Sequence, residues 1–299
     1  MARITRTTGT RVAAIAATMA LVVLAGTLTA GAQMRGALRG KRALRAQAAA
    51  ETTPLQVLSE LLARLQLTDE QRQTIKGIIS AHKDELLLVA GAEHTSRVAL
   101  RAAIRQPALD SAGVAAAAGV VARADVQLSL QRAAIFSEVL AVLTETQRQE
   151  LAAFAADVKA KILERLGNLG GAEADPGRLL AQAGNRLGLT DGQKTQIKEI
   201  LLGHKAELAA IVTVEVAART GLNAAIHQPA VAEIAVRRAC VMVAAADLQL
   251  DLERARIFAE IWTVLTPEQQ DQLTDMLAAI EARITARVEA LLNIFKVLF

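Results

Sequence analysis

Four histidines and a single cysteine are the only imidazole and thiol groups in 299 residues, and one spacing recurs among them. His82-x-x-Glu85 returns as His204-x-x-Glu207. Residues at i and i+3 share a helix face, so an imidazole and a carboxylate in this register can converge on one atom. A donor set of nitrogen and oxygen suits a transition metal such as zinc. Two plainer chemistries fit the same residues. One is a histidine hydrogen-bonded at a seam between helices, with its glutamate in solvent. The other is a pair whose charge follows pH. His94 and His227 are not repeated, since Val216 and Arg105 stand at the matching places, and both read as incidental. Cys240 lies in Arg238-Ala239-Cys240-Val241-Met242-Val243 and reads as a small buried apolar residue. One cysteine allows no intrachain disulfide, no CxxC redox pair and no cysteine-based metal cluster. No Ser/His/Asp or Cys/His arrangement is suggested, and there is no phosphate-cradling glycine loop. The remaining carboxylates scatter over helix faces, where solvation accounts for them. The chain is therefore not expected to be an enzyme, and beyond such a metal no cofactor is implied.

The elements that must position these residues are announced by a phrase that occurs four times. It reads Leu67-Thr68-Asp69-Glu70-Gln71, then Leu143-Thr144-Glu145-Thr146-Gln147, then Leu189-Thr190-Asp191-Gly192-Gln193, and finally Leu265-Thr266-Pro267-Glu268-Gln269. In each L-T-x-x-Q, threonine followed three residues later by glutamine forms a capping box. The threonine oxygen accepts from the N3 amide, and the glutamine side chain reaches back to the N-cap amide. Asp69, Glu145 and Asp191 then put negative charge at the positive end of the helix dipole, and Pro267 fits the first helical position. The N4 residues Arg72, Arg148, Lys194 and Gln270 rule out a hydrophobic staple, so Leu67, Leu143, Leu189 and Leu265 are expected to anchor the core. Capping alone does not explain why leucine and glutamine return every time.

From Thr53 onward the sequence repeats at a constant offset of 122 residues. Thr53-Pro54 matches Asp175-Pro176, His82-Lys83 matches His204-Lys205, and Gln106-Pro107 matches Gln228-Pro229. Asp125 matches Asp247, Arg132 matches Arg254, and Ile135-Phe136 matches Ile257-Phe258. Each copy predicts four helices. The first is short, over about 54–65. The second is long and starts after Thr68, with Ile75, Ile78, Ile79, His82, Leu86 and Val89 on one stripe, and ends near Gln106 because Pro107 removes a donor. The third runs from Asp110 to Val142 on Val114, Ala117, Val121, Ala124, Leu128, Ile135 and Val139. The fourth starts at Thr144 with Leu151, Ala155, Val158, Ile162 and Leu166, and Gly167-Asn168 is expected to stop it. The last helix of the second copy meets no such stop and is expected to run longer.

Composition bounds the rest. Apolar residues make up 53% and prolines number 5, enough to bury a core or two, and the abundance of Ala, Leu, Glu, Gln and Arg argues for an all-α fold. Aromatics are 2%, with no tyrosine, which leaves no stacking surface for bases or sugars. The net charge of +4 is misleading. Eight of the 34 cations precede the first acid, Glu51, which leaves 26 against 30 acids and a net of about −4 for the rest. No nucleic-acid partner is expected. Residues 1–32 read as an export signal, with Arg3, Arg6 and Arg11 before an apolar run and Ala30-Gly31-Ala32 before a cleavage point. The alternative is an uncleaved inner-membrane anchor that leaves the chain facing the periplasm. Residues 33–52 form a basic, flexible linker whose cations at 35–45 offer weak contact with a membrane surface or an acidic partner. The expected divisions are thus 1–32, 33–52, a first helical unit at 53–171 and a second at 172–299.

Paired LTxxQ phrases behind an export signal, in a small helical unit, resemble the LTxxQ-motif family of periplasmic stress proteins that includes Spy and CpxP. Ala255 to Gln270, where a helix ends and LTPEQ opens the next, carries the pattern most fully. The resemblance spans about 53–299 as two family-like units. It implies a periplasmic, ATP-independent chaperone-like protein that holds unfolded or misfolded envelope proteins on a helical cradle. It also leaves room for a signalling partner, for a periplasmic heavy-metal sensor using His82, Glu85, His204 and Glu207, or for a structural helical module of the envelope. Family members usually carry one unit and work as dimers, so the two units here are expected to form a pseudo-dimer within one chain.

Overall fold

The computed structural model describes residues 60–61, 63–169, 184 and 186–298, and every regular element among them is helical. The protein is all-α. The helices are α1 (Asp69–Ile104), α2 (Ser111–Val142), α3 (Glu145–Leu169), α4 (Asp191–Gly203), α5 (Lys205–Ile226), α6 (Glu233–Val264) and α7 (Pro267–Leu298). The leader, the basic linker, Thr53-Pro54, Asp175-Pro176 and Gly170-Gly171 lie outside the described residues.

Four of these helices begin one residue after an LTxxQ threonine, and all four capping boxes form. Gln71 N donates to Thr68 Oγ1 at 3.2 Å while Gln71 Oε1 accepts from Thr68 N at 3.0 Å. Thr144 and Gln147, Thr190 and Gln193, and Thr266 and Gln269 make the same two bonds at 2.9 to 3.3 Å. The structure also accounts for the recurring glutamine. Gln71 Nε2 donates to Gln147 Oε1 at 2.7 Å, and Gln147 Nε2 donates back to Gln71 Oε1 at 3.0 Å. The second hydrogen of each amide caps a chain end, Val142 O from Gln71 and Leu65 O from Gln147. Both amides are thus used in full at donor and acceptor. Gln193 and Gln269 form the same cycle at 2.7 and 3.2 Å, with Val264 O and Gly188 O as the outer acceptors. Each pair of phrases is one joint that fastens two helix starts and two preceding chain ends. The leucines anchor it as expected, since Leu67, Leu143, Leu189 and Leu265 are all buried.

The N4 side chains cap as well. Arg148 Nε reaches Leu140 O at 2.9 Å, and Gln270 Nε2 reaches Trp262 O at 3.0 Å. The chain enters the first phrase through Gln66 at φ 45° and the third through Gly188 at φ 61°. These positions are 122 residues apart, and glycine fills the left-handed conformation without steric cost only in the second.

Three sequence expectations give way. The helix after Thr190 is not continuous but is interrupted at His204, between α4 and α5, where Gly203 stands in place of Ala81 of the first copy. Gly167-Asn168 does not stop α3, which runs on to Leu169. A glycine ends a helix only where it takes the left-handed turn, and among described residues positive φ occurs at Gln66 and Gly188 alone. In α3 the buried partner of Leu151 is Phe154, and Ala155 is exposed. As expected, α7 (32 residues) is longer than α3 (25 residues).

The chain divides into two compact units. The described part of the first comprises residues 60–61, 63–83, 134–169 and 295–298. Its core includes Leu61, Leu65, Ile75, Ile79, Ile135, Phe136, Val139, Leu151 and Phe154. Arg64 lies 5.4 Å over the Phe154 ring and 3.3 Å from Asp157. The described part of the second comprises residue 84 to 133, 184 and 186–294, so the 84–133 hairpin of α1 and α2 belongs with α4 to α7. Two of its core clusters mirror each other. Leu100, Val114 and Val121 pack with Ala255 of α6, while Leu222, Val236 and Val243 pack with Ala133 of α2. Each hairpin tip thereby rests on the small residue of the other hairpin. A third cluster joins Leu187, Leu189, Ile197 and Leu265, and Glu281 of α7 ties to Arg101 at 2.7 and 2.8 Å.

Gln71→Ala strands the Thr68 amide, Val142 O and the Gln147 amide, and is expected to cost about 2–3 kcal/mol in urea unfolding. Adding Gln147→Ala should cost clearly less than a second full loss, with a coupling of about 1–2 kcal/mol; additive losses would mean two independent caps. Gln66→Gly should raise stability by about 0.5–1 kcal/mol in the same measurement, by removing a left-handed non-glycine residue.

Candidate functional site

The two repeated histidines are both clamped to the second long helix of their own copy. His82 Nε2 lies 2.7 Å from Glu138 Oε1, and His204 Nε2 lies 3.1 Å from Glu260 Oε1. Glu138 and Glu260 stand at the same offset as the histidines. The seam reading of the histidine therefore describes what both copies share. Glu85 is exposed and does not join His82 on a common partner.

His204 does more than His82. Its Nδ1 lies 2.5 Å from Oε1 of Glu253, whose side chain is only 1% exposed. Glu207, one turn along α5, is exposed, and His204, Glu207 and Glu253 each place a donor atom within 4.8 Å of the others. Arg256 Nη1 bridges the two carboxylates, 3.2 Å from Glu253 and 3.6 Å from Glu207. Burial opposes charge on the His204 ring, but the hydrogen bonds to Glu253 and Glu260 outweigh it and raise its pKa. The group within reach of one ion thus takes His204 and Glu207 from the sequence reading, leaves out His82 and Glu85, and adds Glu253. A repeat-based reading passes over Glu253, because its counterpart is Gln131 and the signal is not duplicated. His94 Nε2 lies 3.3 Å from Thr285 Oγ1, and burial pushes the His227 pKa down to about 4. Cys240 is buried, as its surroundings in the sequence suggested.

A second polar constellation lies inside the same unit. Arg97 Nη2 binds both oxygens of Asp125 at 3.0 Å and its Nε binds Glu93. Arg219 repeats the arrangement with Asp247 at 2.8 and 2.9 Å and Glu215 at 2.7 Å. The two groups feel each other, and four carboxylates face two guanidinium groups. Burial pushes the Asp125 carboxyl up to about 6, with Arg97 pulling the other way and Glu93 and Asp247 adding to the rise. Asp125 and Asp247 were visible as a repeated pair; Arg97, Arg219, Glu93 and Glu215 repeat equally but sit among ordinary helix-surface charges in the sequence.

The same unit carries an open apolar face. Among the described residues, the large apolar side chains that stand exposed all belong to it. The densest run is Val231, Ile234, Val241 and Met242 at the start of α6, 44 to 69% exposed, with the exposed Arg237 and Arg238 between them. Ile234, Arg238 and Val241 share one helical face. Two helices, α2 and α5, are long and apolar enough to cross a membrane by length and composition, with only 17% and 22% of their apolar windows buried.

Residues 55–155 match the model of a family described as LTXXQ motif family protein. That region, about a third of the chain, is similar to the LTXXQ motif family. The matched region holds the first joint, Gln71 with Gln147. The family is one of periplasmic stress-related proteins, and an envelope-stress role fits it. No curated protein and no solved structure matches the chain.

The buried charge layer has a consequence for pH. The folded pKa of Asp125 lies above the 3.8 of a free side chain, so its contribution to stability is full below that value and is lost as the pH rises through about 6. Asp125→Asn is expected to flatten the dependence of the melting temperature on pH between about 4 and 6, followed by calorimetry. An unchanged slope would assign that dependence to other groups.

Proposed function

We propose that the protein is an exported, ATP-independent chaperone-like member of the envelope-stress response that holds unfolded segments of envelope proteins. The observation that carries this reading is the open face at the start of α6, where Ile234, Val241 and Met242 are 59 to 69% exposed beside Arg237 and Arg238. Soluble proteins seldom leave contiguous large apolar side chains in water without a binding role. Apolar side chains interleaved with cations suit an extended, partly apolar, partly acidic client, bound weakly and without strict sequence choice. Such a surface needs no catalytic group and no nucleotide.

The reciprocal clusters around Ala133 and Ala255 support a second element of the proposal, that the two copies pair within one chain as a pseudo-dimer. Pairing in one chain fixes the stoichiometry and lets the copies diverge. The divergence is visible at position 253, and at 234, where the first copy has Ala112 in place of Ile234.

The full chain is expected to suppress aggregation of an unfolding client, followed by light scattering without nucleotide, at near-stoichiometric ratios. Ile234→Ser combined with Val241→Ser and Met242→Ser should weaken suppression several-fold while leaving helix content unchanged. Suppression that survives the triple change would place the client elsewhere. No suppression at several-fold excess would favour a structural envelope module.

A further inference from the structure

We propose that His204, Glu207 and Glu253 form a binding site for one divalent transition-metal ion of the zinc class, present in the second copy alone. The inference goes beyond client binding and does not rest on it.

His204 meets a carboxylate at each ring nitrogen. Its Nε2 faces Glu260 at 3.1 Å, the clamp that His82 makes with Glu138. A carboxylate on one ring nitrogen fixes the proton there and directs the lone pair of the other nitrogen at the opposite side. For His204 the other nitrogen is Nδ1, which faces Glu253 at 2.5 Å and shares a proton with it that a metal ion would displace. Only a proton fits between a ring nitrogen and a carboxylate at that separation, and a metal ion that took its place would part the two to about 3.3 Å. The arrangement of carboxylate, histidine and second carboxylate is the one in which a metal takes the inner place and the outer carboxylate orients the ring.

The internal copy serves as a control. Where the second copy has Glu253, the first has Gln131; where it has Arg256, the first has Ala134; where it has Gly203, the first has Ala81. The clamp and its helices form in the first copy without the second carboxylate, so packing does not demand one at 253. A carboxylate with 1% exposure is costly unless a cation compensates it. The cations now beside it are His204 and the half-exposed Arg256, which also leans on Glu207. Arg256 is free to swing into water, and Glu207 is exposed and free to swing in.

Charge and geometry then agree. A neutral imidazole with two carboxylates balances a divalent ion in a poorly solvated place. Tetrahedral zinc at roughly 2.0–2.1 Å bonds spaces its ligands about 3.3 Å apart, so Glu207 closes by up to about 1.5 Å while His204 and Glu253 open. Three protein ligands leave one position for water or a further ligand. Nitrogen and oxygen donors without sulfur select zinc, nickel or copper(II) over copper(I). The helix break at His204, between α4 and α5, gives the ligand-bearing turn freedom that the unbroken α1 denies His82.

The test is calorimetric titration of the full chain with zinc chloride, then nickel chloride, at pH 7.5. One ion per chain is expected. Glu253→Gln, which installs the residue of the first copy, should weaken binding at least about tenfold, as should the surface change Glu207→Gln, while His82→Ala should leave it unchanged. Cobalt should give the visible absorption of a four-coordinate site, lost in Glu253→Gln. Zinc heat that persists at wild-type strength in both glutamine variants, or no heat at millimolar zinc, would overturn the site. Because Glu207 is exposed, its variant remains informative even where Glu253→Gln impairs folding. Aggregation suppression measured with a chelator separates this site from the client surface.

Discussion

The reciprocal amide bond between paired LTxxQ glutamines is the constraint on which the architecture depends. A glutamine amide has two donors and two acceptor sites, and here all of them are spent: on its own helix start, on the opposite glutamine and on the end of a neighbouring chain segment. Few side-chain arrangements satisfy so many backbone ends with two residues. The joint fixes where α1 and α3 start relative to the ends of the short helix and α2, and its twin does the same for α4, α6 and α7. From these two joints the long helices project, and the residues with chemistry ride on them.

Farther along the hairpins, the same logic of full pairing is applied to charges. Arg97 with Glu93 and Asp125, and Arg219 with Glu215 and Asp247, place ionic groups among clusters built from small apolar residues such as Ala133 and Ala255. A buried charge layer adds little net stability, but mismatched registers would leave charges unpaired. Alanine-rich helices have weak steric individuality, so a polar layer of this kind can specify how the two hairpins meet. Burial raises the aspartates there, and the excess of carboxylates over guanidinium groups adds to the rise.

Two sequence-similar copies in one chain can carry different side chains at matched positions. Both keep the joint and the histidine clamp, which the fold uses. The second copy alone adds a buried Glu253, a broken helix at His204 and the exposed Ile234 and Val241, where the first copy has Ala112 and Gly119. The chemistry of the protein is concentrated in what the copies do not share.

Much of this was legible in the sequence. The helix starts at Asp69, Glu145, Asp191 and Pro267, the turn before Pro107 and the burial of the four phrase leucines follow from capping, proline geometry and apolar spacing, all of which are local. The repetition at 122 residues exposed His82 and His204 as matched positions, while their partners Glu138 and Glu260 were picked out only by the fold. What the tertiary structure decided are contacts between residues far apart in the chain. Glutamines 76 residues apart bond face to face, and His204 turns its second nitrogen to Glu253, 49 residues away, rather than acting through Glu207 alone. A capping box written in sequence shows its donors and acceptors but not the second partner each can still take. A lone glutamate on a helix looks solvated until the fold buries it. Periodicity says which face a residue is on; only packing says what that face meets.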